Sequence, residues 1–250
     1  MSDSLVTEKR DRVLLITINR PDARNAIDNE VATALVEATR QLDEDPSLSA
    51  GVLAGAGSNF CAGMDLKAFA KEGVPRDLHT FYMHGAKKPL IAAIEGYALG
   101  GGLELALTCD LQVAARDAKL GAPEATVGLF AAGGALLRLA RRLPYGIAME
   151  LVLTGEPISA DVAFAHGLLN RITEPGQSTE VALKLAERVA RNAPLAVNAS
   201  KELIRDAAHL SEAEFWECQK RYARVVLKSQ DAKEGPRAFA EKRAPQWTGS

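Results

Sequence analysis

Long apolar runs are missing from this 250-residue chain: none is extended enough to span a bilayer. Met1 to Asp11 is polar and has no signal-peptide core. Cysteine is scarce. Cys61, Cys109 and Cys218 are odd in number, far apart and form no CxxC, which argues against a disulfide framework or a zinc site and fits a reducing compartment. The histidines His79, His84, His166 and His209 make no HExxH or other metal spacing. There is no GxSxG nucleophile elbow and no GxxxxGK[ST] phosphate loop. Gly96 to Gly102 is glycine-rich but does not spell GxGxxG, so a Rossmann cofactor site is not indicated. Charge of either sign is not in excess: 30 Lys plus Arg against 32 Asp plus Glu leaves −2. That balance recruits neither nucleic acid nor an anionic membrane. These absences predict a cytoplasmic protein without membrane insertion and without a nucleic-acid partner, and they argue against a metal site.

Apolar residues make up 47% of the chain, a globular value, and a chain of this length buries roughly 75% of its unfolded surface. Arg12 to Ile18 reads as a strand. Asp28 caps a helix to about Leu42 whose face is Val31, Leu35, Ala38 and Leu42. Further strands are expected at Ala50 to Ala54, Leu90 to Ile94 and Asp110 to Ala115, with a glycine-led helix over Gly100 to Thr108. Beyond about Gly134 helices take over. Leu136, Leu139, Ala140 and Leu143 mark one face, and Val181, Leu185 and Val189 another. Ser211 with Glu214 forms a capping box ahead of Phe215, Cys218 and Tyr222. Gly235-Pro236 is expected to break the last helix, with a mixed polar tail after it. Strands alternating with helices, then helices alone, indicate an α/β core over 1–195 and a helical region over 196–250.

Three segments carry possible chemistry. Gly96-Tyr97-Ala98-Leu99-Gly100-Gly101-Gly102-Leu103-Glu104 follows a strand and opens a helix, so its N–H groups can face an anion or developing oxyanion. The same glycines also suit a plain tight turn. Asn59 to Leu66 again joins a strand to a helix, with Asp65 read as the cap and Cys61 as a small buried side chain. Glu104 and Glu124 can divide acid and base work if they share a pocket, because burial and repulsion raise the pKa of one. Singly, each also fits a solvated helix-end carboxylate.

Together these segments resemble the crotonase superfamily, the enoyl-CoA hydratase/isomerase family. The resemblance covers Asn19-Arg20-Pro21 with Arg24-Asn25-Ala26, Phe60 to Leu66, Gly96 to Glu104 with Cys109-Asp110, and Pro123-Glu124. It continues through Leu153-Thr154-Gly155, Ile158-Ser159-Ala160, Ala165 to Leu168, Ser200-Lys201 and Phe239 to Lys242. It implies a spiral of ββα units with a C-terminal helical region that forms a homotrimer or homohexamer. It implies an oxyanion hole from the N–H groups of Met64 and Gly101, and hydration of a trans-2-enoyl-CoA by Glu104 as base and Glu124 as acid. No metal or redox cofactor is then needed, and coenzyme A is part of the substrate, contacted by Arg24, Ala62, Asp65, Leu66, Lys67 and, across a subunit boundary, Lys242. As surface charges the basic residues have a simpler reading. An isomerase, another acyl-CoA lyase or a non-catalytic acyl-CoA-binding protein are the alternatives on this fold. One stretch departs from the hydratase pattern: Phe130 to Leu139 keeps a double glycine and Arg-Leu but lacks the usual Pro, Thr and Gln.

Overall fold

The computed structural model describes residues 3–250. In chain order the elements are β1 (Leu5–Arg10), β2 (Val13–Ile18), α1 (Asn29–Glu44), β3 (Ala50–Gly55), α2 (Leu66–Glu72), α3 (Arg76–His84), β4 (Leu90–Ile94), β5 (Tyr97–Leu99) and α4 (Gly101–Thr108). There follow β6 (Leu111–Ala115), β7 (Lys119–Gly121), α5 (Ala135–Arg142), α6 (Tyr145–Thr154), β8 (Ile158–Ser159), α7 (Ala160–Ala165) and β9 (Arg171–Thr173). The chain closes with α8 (Ser178–Ala190), α9 (Pro194–Ala207), α10 (Glu212–Val226) and α11 (Gln230–Ala240). It forms two compact units, Met1–Ala186 and Glu187–Ser250, dividing inside α8 rather than at the 195/196 boundary read from the sequence.

The larger sheet has the order β1-β2-β3-β4-β6-β9, parallel except for the β1/β2 hairpin. The smaller runs β5-β7-β8. Successive strands alternate between the two: β4 then β5, β6 then β7. This is the ββα spiral that the resemblance implies. Every residue of β4 is buried, as are all of β3 except Gly55, which is why these strands read as unbroken apolar runs. On α1 the predicted face is the buried one, and Asp28 accepts from Val31 N–H at 2.9 Å.

Several expectations need correcting. β1 is an edge strand whose Glu8, Lys9 and Arg10 are exposed. Such charges protect an edge and also mask it in sequence. On α5 the buried residues are Ala135 and Leu139, while Leu136 is exposed. Gly235-Pro236 does not end α11, which continues to Ala240 with Pro236 inside it. A proline there costs a backbone hydrogen bond, and side chains offset it. Ser229 caps α11. Glu234 pairs with Arg237 and Arg243 and accepts from Gln246 N–H. Asp231 accepts from the N–H groups of Thr248 and Gly249. The polar tail is thereby tied onto α11.

Arg20 and Asn25 fix the entry to the site described below. Arg20 contacts the carboxylates of Asp28 and Asp65, each at 3.1 Å. These residues are the N-caps of α1 and α2, so one guanidinium holds two helix starts in register. Asn25 is fully buried with φ 57°. Its amide donates to the carbonyls of Ala56 and Asn59, and its oxygen accepts from Arg20 N–H. Asn25→Ala would lose the residue type that tolerates this conformation and strand those partners. The expected destabilisation is on the order of 3 kcal/mol, read as a lower urea midpoint. An unshifted midpoint would contradict the anchoring role.

Candidate active site

Three chain segments run parallel and leave at one end. Cys61 bridges Ala98 in parallel, with Cys61 N–H donating to Tyr97 O at 2.9 Å and Leu99 N–H to Cys61 O at 3.1 Å. On its other side β5 pairs in parallel with β7, and Gly100 N–H donates to Gly121 O at 2.8 Å. Parallel pairing carries the C-terminal ends of all three to one edge, where ligands of α/β sheets bind. Met64 follows the first segment, Gly101 the second and Glu124 the third. Gly102 makes the close approach possible: a Cβ there would lie 2.2 Å from Cys61 O. Gly63 takes φ 103°, and a Cβ on it would meet Leu99 O at 2.8 Å.

The backbone nitrogens of Met64 and Gly101 lie close to one another. Ile27 N–H donates to Gly63 O, and Asp65 N–H to Ile27 O, both at 2.8 Å. Met64's neighbours are thus spent on Ile27, and by strand alternation its own N–H faces the other way. Gly101 is the first residue of α4, where N–H groups have no intrahelical acceptor. A Cβ built on Gly101 would sit 3.6 Å from Met64 N, and one on Gly63 would sit 3.5 Å from Gly101 N. Two backbone donors thus flank one small volume beside a helix N-terminus.

The acids meet there. Glu104, 4% exposed, lies in the first turn of α4, and its Oε1 accepts from Ala135 N–H at 3.2 Å. Burial pushes its carboxyl up to about 7, with the negative charge of Glu124 adding to the rise. Glu124 sits on a 3-10 turn, Pro123–Val127, directly after β7. Burial raises it too, and among the described residues no group donates to its buried Oε2. Burial thus raises both acids of the pair.

Both carboxyls open on a cavity of about 260 Å³. Its lining includes Ala62, Gly63, Met64, Leu66, Gly100 and Gly101. The wall is completed by Val74, Leu78, His79 and Tyr82 from the α2–α3 region and by Pro123, Thr126, Val127, Leu129, Phe130, Ala132 and Gly133 from the stretch before α5. Sequence reading did not single out Tyr82 or Gly133. The i, i+4 spacing of Leu78 and Tyr82 and the double glycine ahead of α5 are the signals that mark them.

The remaining predicted site residues differ in what they offer. Arg24 is exposed, and its carbonyl braces Ala62 N–H at 3.0 Å. Lys67 is exposed at the start of α2, beside Leu66 on the cavity rim. Asp65 is committed elsewhere: it accepts from the N–H groups of Lys67 and Ala68 and pairs with Arg20. It acts as a cap, not as a free ligand. Lys242 is exposed just after α11, in the second unit, with φ 53°. Cys61 is buried and its thiol is pushed up to about 12, which removes it as a nucleophile. Among the described residues no three His, Cys, Asp or Glu side chains gather into a metal-binding group, and no helix is long and apolar enough to cross a membrane.

Known proteins share this arrangement along the whole chain. The sequence profile of the family described as enoyl-CoA hydratase/isomerase matches residues 8–250. An enoyl-CoA hydratase of Mycobacterium tuberculosis is 42% identical over 98% of this chain and 96% of its own. A carnitinyl-CoA dehydratase of Proteus mirabilis is 41% identical over the full length of both. Among solved structures, an enoyl-CoA hydratase of M. tuberculosis superposes with a TM-score of 0.95 at 49% identity, and a probable enoyl-CoA hydratase/isomerase of Mycobacterium abscessus with 0.96 at 50%, each covering both chains completely. With two facing glutamates at the ends of parallel segments, and a profile match that runs from β1 to the last residue, the chain belongs to the enoyl-CoA hydratase/isomerase family of the crotonase superfamily, a family of enzymes.

Proposed function

We propose that the protein is an enoyl-CoA hydratase that adds water across the 2,3 double bond of a trans-2-enoyl-CoA. The observation that supports this reading is that Glu104, Glu124, Met64 and Gly101 all line one largely apolar cavity. The thioester oxygen lies between Met64 N–H and Gly101 N–H. Water oxygen bonds to C3, the π electrons shift so that charge builds on the thioester oxygen, and a proton is added at C2. One carboxylate takes the water's proton while the other carboxyl supplies the proton to C2, so the pair ends with the single proton it began with. Each N–H donor is worth ~2.7–4 kcal/mol in such a transition state. Because the two groups are coupled, the proton belongs to the pair. The unsatisfied Oε2 of Glu124 supplies an acceptor for the attacking water. No cofactor is required beyond the coenzyme A thioester itself, for which Arg24 and Lys67 offer cations and Ala62 and Leu66 rim contacts. Lys242 joins them only if subunits assemble.

The cavity wall favours an uncharged aliphatic acyl group. Among the described residues Phe130 is the one exposed Phe, Tyr or Trp of the lining, the Tyr82 hydroxyl is turned to Gly101, and the carboxylates are the pair alone. A carnitinyl group carries a quaternary ammonium, which an aromatic cage would recognise. Unsubstituted trans-2-enoyl-CoAs are expected to lose their conjugated thioester absorbance at least tenfold faster than carnitinyl-CoA is dehydrated. Glu104→Gln and Glu124→Gln should each lower kcat by roughly 10²–10⁴, and the double variant by far less than the product. Full activity in either single variant sinks the two-carboxyl mechanism.

The raised pKa has a consequence for stability. Unfolded Glu104 releases its proton near 4.5 and the folded group near 7. Between those values the folded chain holds the extra proton, so folding becomes less favourable as pH rises, and the loss is complete above about 7. Its size is on the order of 3 kcal/mol. Urea midpoints should show Glu104→Gln more stable than the parent at pH 8, with the advantage gone at pH 4. An equal difference at both values would show that Glu104 is not held protonated by burial.

Assembly is the last element of this reading. Ile204, Trp216, Val225, Leu227 and Phe239 of the second unit are exposed, more large apolar surface than a solvated helical region normally keeps. A trimer or a pair of trimers is expected in light scattering. A stable monomer at micromolar concentration would refute it and remove the role of Lys242.

A further inference from the structure

Tyr82 sits in the last turn of α3, 6% exposed, with its ring against the floor of the cavity. Its hydroxyl donates to Gly101 O at 3.0 Å. Any buried tyrosine needs a partner for its O–H. This one takes a carbonyl of the residue whose N–H faces the cavity. Gly100, Gly101 and Gly102 run consecutively into the first turn of α4. Glycines have the widest backbone freedom, and the first turn is where helices fray. The peptide that carries the Gly101 N–H is tied through Gly100 O, which accepts from Glu104 N–H at 3.0 Å, and the Tyr82 hydroxyl ties the peptide on the other side of Gly101. The ends of Tyr82 are fixed by other partners. Arg138 donates one guanidinium nitrogen to Tyr82 O and another to Gly133 O, the latter at 3.1 Å. A Cβ placed on Gly133 would lie 2.4 Å from both the Tyr82 ring and Glu104 Oε2. Ring, carboxyl and glycine therefore share one tightly filled space.

We propose that Tyr82 is a positioning residue: its hydroxyl, held in place through Arg138 and Gly133, fixes the start of α4 so that the Gly101 N–H stays aimed at the substrate's thioester oxygen. The proposal rests on the reading of Met64 and Gly101 as oxyanion donors. Tyr82 touches neither bond that is made nor proton that moves. Its hydroxyl acts on the peptide that follows Gly101, and through that peptide on the direction of the N–H before it. The hydroxyl stays protonated throughout, since burial and the nearby charges of Glu104 and Glu124 raise it well above the ordinary value.

The test uses a conjugated 2,4-dienoyl-CoA, whose absorption band moves to longer wavelength as donors polarise its carbonyl, together with steady-state hydration of crotonyl-CoA. The parent protein should shift the band; if it does not, the oxyanion reading itself fails. Given that shift, Tyr82→Phe should reduce it by at least half and lower kcat about 5- to 20-fold, with KM within about threefold of the parent. An unchanged band and kcat in Tyr82→Phe would overturn the positioning role, and so would a raised KM with the band shift kept, which marks simple loss of packing. Should Tyr82→Phe fail to fold, 3-fluorotyrosine at position 82 decides the matter, because it keeps the ring and makes the hydroxyl a stronger donor. A band shift equal to or larger than the parent's supports the proposal, and a smaller one overturns it.

Discussion

Parallel pairing of β5 with its two neighbours is the constraint on which the site depends. Cys61 flanks it on one side and β7 on the other. Because all three run the same way, Met64, Gly101 and Glu124 leave from one edge although they are widely separated in sequence. Antiparallel pairing at either border would send one of them to the far side of the sheet. The border is made close by Gly102, whose missing side chain lets Cys61 O approach. Arg20 and Asn25 then brace the outer segment, so the loop bearing Met64 is held by hydrogen bonds on both of its sides.

Burial of the acids is a cost carried by the fold. Glu104 is almost wholly removed from water and still receives a backbone N–H from Ala135. Desolvation outweighs that hydrogen bond, so the carboxyl is raised rather than lowered. Proximity of Glu124 adds to the rise. An apolar residue at position 104 would fill the space at less expense, which is the pattern expected where stability gives way to chemistry. The same filled space explains why the stretch before α5 contains Gly133: a larger residue would displace either the Tyr82 ring or the carboxyl.

Much of the architecture was legible because its signals are local. The apolar runs of β3 and β4, the face of α1 with Asp28 as its cap, and the Ser211–Glu214 capping box all depend on residues within a few positions of one another. The errors arose where distant partners decide the outcome. Pro236 lies inside α11 because Asp231 and Glu234 bind the tail that follows it. Leu136 turns outward while Ala135 turns inward, with the Ala135 N–H given to Glu104. Among the described residues β1 is paired only through its hairpin with β2, and its charged edge hides it.

By itself the sequence determined the strands β2, β3, β4 and β6 and the helices α1 and α4, the resemblance to the crotonase superfamily, and which residues stand as candidates: Glu104, Glu124, Met64 and Gly101. It held these as separate segments, since periodicity and capping report only on neighbours along the chain. Tertiary structure alone decided that the two glutamates share a cavity, that Asp65, read as a cap from the sequence, also pairs with Arg20, and that Tyr82 joins α3 to the start of α4. The physical reason is that burial, charge coupling and hydrogen-bond direction are properties of groups brought together across the fold. A carboxyl reaches about 7 only when its surroundings have excluded water, and no spacing within one segment encodes that.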